Sequence, residues 1–199
     1  MSSSVVALVL AAGNGERFGS ARFKLLEELD GKPLMRHAVD AALASQAGRT
    51  LVVTGHANER VEAALAGAPV ALVHNANYRE GLASSLRAGV AQVGGESGAL
   101  VLLADMPAVT PAILDILIDA FDATDAAAVV PTRNGRRGNP VLLGRTLFPQ
   151  LATIAGDKGA REMLRISTGV IEIEIGDDAV LTDVDAPADL ARLRSFIRS

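Results

Sequence analysis

Val5-Val6-Ala7-Leu8-Val9-Leu10-Ala11-Ala12-Gly13-Asn14-Gly15-Glu16-Arg17-Phe18-Gly19 decides how the rest of the chain is read. Val5–Leu10 is an unbroken aliphatic, partly β-branched run with no polar alternation. That is the pattern of a strand covered on both faces, as in the parallel sheets of α/β proteins. A glycine-rich turn follows it immediately. Ligands of open α/β sheets bind beyond the carboxyl ends of the strands, so the residues just after each strand are the ones to inspect.

Strand and helix patterns alternate from there to the end of the chain. Leu51–Thr54, Val70–Val73, Ala99–Leu103 and Val170–Ile175 read as further strands. Pro33–Ser45, Glu59–Leu65, Leu82–Val93 and Pro187–Ile197 read as helices, with two short ones near Arg145–Leu151 and Gly159–Ile166. Ile113, Leu114, Leu117, Ile118 and Phe121 mark an amphipathic helix, which Thr110-Pro111 would start as N-cap and first turn. Ala127–Val130 and Pro140–Leu143 are strands joined by only eight residues, Thr132–Asn139. A parallel crossover needs about a dozen or more, so these two are expected to pair antiparallel or to form a local excursion. The expected fold is a three-layer α/β/α, Rossmann-like arrangement with a mostly parallel sheet, in one domain over residues 1–199.

Composition narrows the chemistry. Of 199 residues, 49% are hydrophobic and only 3% aromatic, so the core must be Ala, Val, Leu and Ile. The absence of cysteine removes disulfides, thiolate catalysis and Cys-ligated metal centres. Nineteen basic against 23 acidic side chains, a net charge of -4, disfavours a nucleic-acid partner. No apolar stretch approaches the ~20 residues of a membrane span, and Met1–Ser4 lacks the basic start of a signal peptide, so no membrane partner and a cytoplasmic location are expected. The scarcity of aromatic rings favours backbone and small polar groups over stacking for holding any base.

Four regions after the strands carry polar chemistry. Ala11, Ala12, Gly13 and Gly15, with Arg17 and Lys24, could let backbone and cationic groups approach an anion; a surface glycine turn with solvated charges is the competing reading. The spacing fits neither a P-loop nor the dinucleotide fingerprint, since Phe18 stands where that fingerprint needs glycine. Asn77, Gly81, Ser84 and Ser85 could meet a base, ribose or phosphate, or could cap a helix. Asp105 ends a buried strand, where it suits a Mg²⁺ ligand or a simple turn. Asp183 and Asp185 share one face of an extended stretch; one of them could complete a metal site, or Asp185 could cap the last helix. Gly138-Asn139-Pro140 and Asp157-Lys158 belong to two glycine-rich turns.

Seven segments in order resemble the MobA-like nucleotidyltransferase family, and most closely its molybdenum cofactor cytidylyltransferase branch. They are LAAGNGERFG (Leu10–Gly19) with Lys24, GKPL (Gly31–Leu34), NANYREGLASSLRAGV (Asn75–Val90), LLADMPAVTP (Leu102–Pro111), GRRGNPVLL (Gly135–Leu143), GDKGAR (Gly156–Arg161) and LTDVDAPADL (Leu181–Leu190). The resemblance implies transfer of a nucleotidyl group from a nucleoside triphosphate to a phosphate acceptor, with release of pyrophosphate. Ala11-Ala12 looks like the cytidylyl branch and so implies CTP; molybdopterin is the implied acceptor, and a molybdoenzyme a further partner. It implies that the Gly13–Gly19 loop and Arg17 hold the triphosphate and that Lys24 neutralises it. It places Ser84 and Ser85 near base and ribose, Mg²⁺ on Asp105 with Asp185 or Asp183, and Gly138, Asn139, Pro140, Asp157 and Lys158 toward the acceptor. Five positions separate Gly19 from Lys24, more than the family's usual three or four, which leaves Arg22 a rival for the phosphates. A sugar or polyol phosphate acceptor, GTP as donor, and a non-catalytic cofactor chaperone are the alternatives.

Overall fold

A computed structural model describes residues 5–13, 23–156 and 160–197. Strand β1 is Val5–Ala11, buried throughout. Its alternate residues feed two different cores, which is why the run carries no polar position. Val5, Ala7, Val9 and Ala11 join one cluster, and Val6, Leu8, Leu10 and Ala12 join the other.

A two-residue hairpin, β2 (Glu28–Leu29) with β3 (Lys32–Pro33), follows and was not apparent in the sequence pattern. It leads into α1 (Leu34–Ala44), β4 (Arg49–Thr54), α2 (Asn58–Ala64), β5 (Ala71–His74) and α3 (Leu82–Val90). Next come β6 (Gly98–Leu103), α4 (Pro111–Asp122), β7 (Ala128–Arg133), β8 (Arg136–Arg137) and β9 (Val141–Gly144). The chain closes with α5 (Phe148–Leu151), α6 (Arg161–Ile166), β10 (Val170–Glu174) and α7 (Pro187–Ile197). As expected, Thr110 caps α4: its Oγ1 accepts from the Ile113 N–H at 3.4 Å, with Pro111 in the first turn.

The main sheet runs β10-β7-β9-β6-β1-β4-β5, with β8 hairpinned onto β7. The β1–β4, β1–β6, β4–β5 and β7–β10 pairs are parallel. The short Thr132–Asn139 connection does produce an antiparallel pair, with Ala128 opposite Leu143 and Val129 opposite Leu142. The antiparallel excursion lies within the sheet: β9 sits between β6 and β7 and pairs antiparallel with both. The connection itself holds a hairpin whose turn is Asn134-Gly135, both at positive φ (52° and 72°), as an Asn-Gly hairpin turn requires.

Helices cover both faces. Met35, Ala38, Val39 and Ala42 of α1 and Ile113, Leu114, Leu117 and Ile118 of α4 pack on one. Leu86 and Val90 of α3, Leu151 of α5, and Met163 and Leu164 of α6 pack on the other. Each buried Val, Leu, Ile or Met side chain among these contributes about 1.5–3 kcal/mol by leaving water, and each alanine methyl roughly 0.8 kcal/mol. A third small cluster, Leu29, Leu34, Val184 and Leu190, ties the β2–β3 hairpin and α7 together at one end of the sheet. No helix among the described residues is long and apolar enough to cross a membrane.

Candidate active site

β1 has β4 and then β5 on one side and β6 on the other, so chain order reverses at β1. The carboxyl ends of β1 and β6 therefore flank the crevice where such sheets bind ligands. The Ala104 N–H donates to Leu10 C=O at 3.2 Å and extends that pairing one step past β6. Asp105 is the next residue, its side chain 21% exposed.

A second segment is stitched onto Asp105. The Val184 N–H donates to Asp105 C=O at 2.9 Å. Val184 is fully buried in the third cluster, against Leu29, Leu34 and Leu190. In extended backbone its two neighbours must then point the opposite way. Asp183 and Asp185 accordingly face Asp105, and one carboxylate oxygen from each of the three lies within 4.8 Å of the others. Both Asp183 and Asp185 thus lie beside Asp105. The first turn of α7 uses another residue: Asp189 Oδ2 accepts from the N–H groups of Asp185 and Ala186, at 3.1 and 2.8 Å.

Lys24 enters the cluster from a distant part of the chain. It starts a 3-10 turn, Lys24–Leu26, between Phe23 and Leu25, both buried and each only 5% exposed. Those two anchors fix the root of its side chain. Its Nζ donates to Asp105 Oδ2 at 2.7 Å and lies 3.5 Å from Asp185 Oδ1. Arg22, its rival, lies outside the described residues, as do Gly15, Arg17, Asp157 and Lys158.

The electrostatics follow from this crowding. Asp183 is itself exposed, but partial desolvation of its carboxyl by the surrounding groups raises its pKa above the ordinary aspartate value, and the charges of Asp185 and Asp105 push it the same way, with Lys24 opposing. Asp105 Oδ1 is buried with no hydrogen-bond partner among the described residues. An unpaired buried carboxylate oxygen is costly, and a cation is what would satisfy it. Among the described residues the cluster offers three carboxylates, a hard oxygen set of the kind that suits Mg²⁺, Ca²⁺ or Mn²⁺.

Across β1 the carboxyl ends of β4 and β5 form the other wall. Ala12 is buried and its C=O accepts from the His56 N–H at 3.2 Å, while Gly13 is exposed. Rings of Phe23, His56 and Tyr78 follow one another at centroid separations of 5.5 and 5.8 Å, with the Arg79 guanidinium 5.5 Å from the Tyr78 ring. Few as the aromatics are, three rings converge here.

Ser84 and Ser85 are buried at the start of α3. Asn75 Nδ2 donates to their hydroxyl oxygens at 2.9 and 3.1 Å, and Asn75 Oδ1 accepts from the Asn77 N–H at 3.0 Å. Ser84 Oγ also lies 2.9 Å from the carbonyl oxygens of Asn77 and Gly81. The serines thus brace the 75–81 loop from inside, leaving Asn77 exposed at its surface. Asn75 opens the NANYREGLASSLRAGV segment but has no individual role in the sequence pattern. An asparagine directly after a strand and two residues before another was the available signal, because its amide readily bonds the backbone two residues on.

The Gly138-Asn139-Pro140 turn is held by the 3-10 turn Asp178–Leu181. The Asn139 N–H donates to Val180 C=O at 2.9 Å, and the Asn139–Pro140 peptide is cis. A Cβ on residue 138 would fall 2.2 Å from that same carbonyl oxygen, so only glycine fits.

The family model for the MobA-like NTP transferase domain matches residues 7–173. The chain belongs to this family. It is 32% identical over 183 residues to the bifunctional protein GlmU of Halorhodospira halophila, covering 89% of this chain but 37% of that protein. It therefore spans well under half the length of that curated relative. Nicotine blue oxidoreductase of Paenarthrobacter nicotinovorans is 29% identical and covers 95% of this chain and 96% of its own. Among solved structures, Rv0371c of Mycobacterium tuberculosis H37Rv superimposes with TM-score 0.85 at 29% identity, over 98% of this chain and all of that one. Rv0371c has also been solved as a complex with manganese, similar to this chain with TM-score 0.79. That complex and the acidic triad together fit a divalent metal.

Proposed function

We propose that this MobA-like domain, residues 1–199 acting as one catalytic unit in the cytoplasm, transfers CMP from CTP to a molybdopterin-type phosphate acceptor and releases pyrophosphate. One observation carries the reading: Asp105, Asp183, Asp185 and Lys24 converge at the switch point of the sheet. Family membership alone does not assign the reaction, since a relative matched over nearly the whole of both chains bears the name of an oxidoreductase. A cluster of carboxylates with one lysine is the equipment of phosphate chemistry.

In the reaction an acceptor phosphate oxygen attacks the α-phosphorus. The new P–O bond forms as the bond to the β-phosphate oxygen breaks, and pyrophosphate leaves. Such transfer needs positioning and charge neutralisation and no protein nucleophile. Asp105, Asp183 and Asp185 are the residues that would hold Mg²⁺, which when bound neutralises negative charge on the reacting phosphates. Lys24 supplies an ammonium to the same phosphates, and Arg17 a guanidinium. Ala11, Ala12, Gly13 and Gly15 offer backbone to the triphosphate. Asn77 and Gly81, braced by Ser84 and Ser85, stand on the base and ribose side. Gly138, Asn139 and Pro140 are assigned to the acceptor side, and Asp157 and Lys158 join them on the strength of the family resemblance alone.

A pyrophosphate-release screen tests this, crossing CTP, GTP, UTP and ATP with molybdopterin and with sugar and polyol phosphates. Release with CTP and molybdopterin is expected, and Asp105→Ala should lose about 10²–10³ in rate or more. Release with GTP alone would reassign the base, and release with a sugar phosphate alone the acceptor. Nucleotide or pterin binding without pyrophosphate would make the protein a cofactor chaperone and overturn the transferase reading.

A further inference from the structure

Lys24 occupies the very carboxylates that the proposed function gives to a metal. Its side chain is only 11% exposed, and its ammonium reaches two members of the cluster, Asp105 at 2.7 Å and Asp185 at 3.5 Å. In doing so it offsets part of the repulsion among three carboxylates packed within 4.8 Å. A divalent cation on those oxygens and an ammonium at hydrogen-bond distance from one of them are like charges in a partly buried site, where repulsion is weakly screened. A triphosphate alters the balance, because it offers the ammonium other anionic oxygens.

We infer that Lys24 is a built-in counterion of the metal cluster, holding the carboxylates until a triphosphate draws its ammonium away, so that divalent metal and nucleotide bind with positive coupling. This rests on the transferase reading and deepens it. By linkage the coupling is reciprocal: nucleotide tightens metal by the factor that metal tightens nucleotide. The free protein then takes up metal poorly, and the metal–nucleotide complex is the species that loads the site.

The test uses Mn²⁺ alone, without nucleotide. Bound Mn²⁺ is measured by loss of the free-ion EPR signal for the wild type, Lys24→Met and Asp105→Asn, with thermal melts of each. Methionine keeps the apolar stem and removes the charge. Lys24→Met should bind Mn²⁺ on the order of tenfold more tightly than the wild type, within the range usual for coupled sites. Mn²⁺ should also raise its Tm by more than that of the wild type, and Asp105→Asn should bind none. Equal or weaker binding by Lys24→Met would overturn the counterion role while leaving the transferase reading to its own pyrophosphate assay. Binding by none of the three proteins would remove the cluster and the counterion together. A readout on the wild type covers the case in which Lys24→Met fails to fold. Lysine acetylation followed by mass spectrometry should show Lys24 reacting faster when Mn²⁺ displaces it; an unchanged rate would also overturn the inference.

Discussion

Asn75 and Ser84 are joined by a buried hydrogen bond, Nδ2 to Oγ at 2.9 Å, that links the end of β5 to the first turn of α3. Asn75 is 5% exposed and also bonds Ser85 Oγ and the Asn77 N–H, so one side chain organises the loop between the two elements. Asn75→Ala removes three hydrogen bonds and strands their partners. It should cost about 1–3 kcal/mol in urea unfolding. Because the loop carries Asn77, the KM for the nucleotide should rise more than kcat falls. A fully stable variant with unchanged KM would show that the loop is held by other contacts.

Gly13 separates the two readings of the first loop. Among the described residues, a Cβ there meets nothing within 4 Å. Gly13→Ala should therefore leave stability within about 0.5 kcal/mol of the wild type. If backbone at this point approaches a triphosphate, the same methyl group should weaken nucleotide binding on the order of tenfold. Unchanged binding by calorimetry would favour a plain surface turn.

Asp183 sets a pH dependence whose sign follows from its raised pKa. The folded protein holds that proton more tightly than the unfolded chain does. The stabilisation is fully present below the unfolded pKa and is lost as pH rises through the folded one. Asp183→Asn never ionises. In metal-free buffer it should raise Tm at neutral pH, and the gain should fade as pH falls through the raised pKa. A variant less stable than the wild type at neutral pH would count against like-charge crowding at this position.

Gly138 is the tightest backbone approach near the acceptor turn. In Gly138→Ala the Cβ would sit 2.2 Å from the Val180 oxygen and 2.9 Å from its carbonyl carbon, so backbone must move. A loss of roughly 1–3 kcal/mol is expected in chemical denaturation. Since Val180 lies in the turn just before Asp183, metal binding should weaken as well. Wild-type stability would show that the 178–181 turn yields freely.

Much of the fold was legible because single segments carried it. The unbroken Val5–Leu10 run required a strand covered on two faces. The short Thr132–Asn139 connection required an antiparallel pair, and Thr110-Pro111 marked the start of α4. The β2–β3 hairpin was hidden, because two-residue strands leave no periodicity to read. Asn75 was hidden because its importance lies in what surrounds it and not in its type.

The sequence by itself determined the alternation of elements, the aliphatic two-faced core and the strand ends where polar residues gather. These are local properties, written in periodicity and in chain connection lengths. Tertiary structure alone decided that β9 lies between β6 and β7, that Val184 turns inward so that both Asp183 and Asp185 face Asp105, and that Lys24 reaches Asp105 across 81 positions of chain. Those outcomes depend on which surfaces meet when the layers pack and on which charges are left together in a partly buried crevice, and no local pattern encodes either.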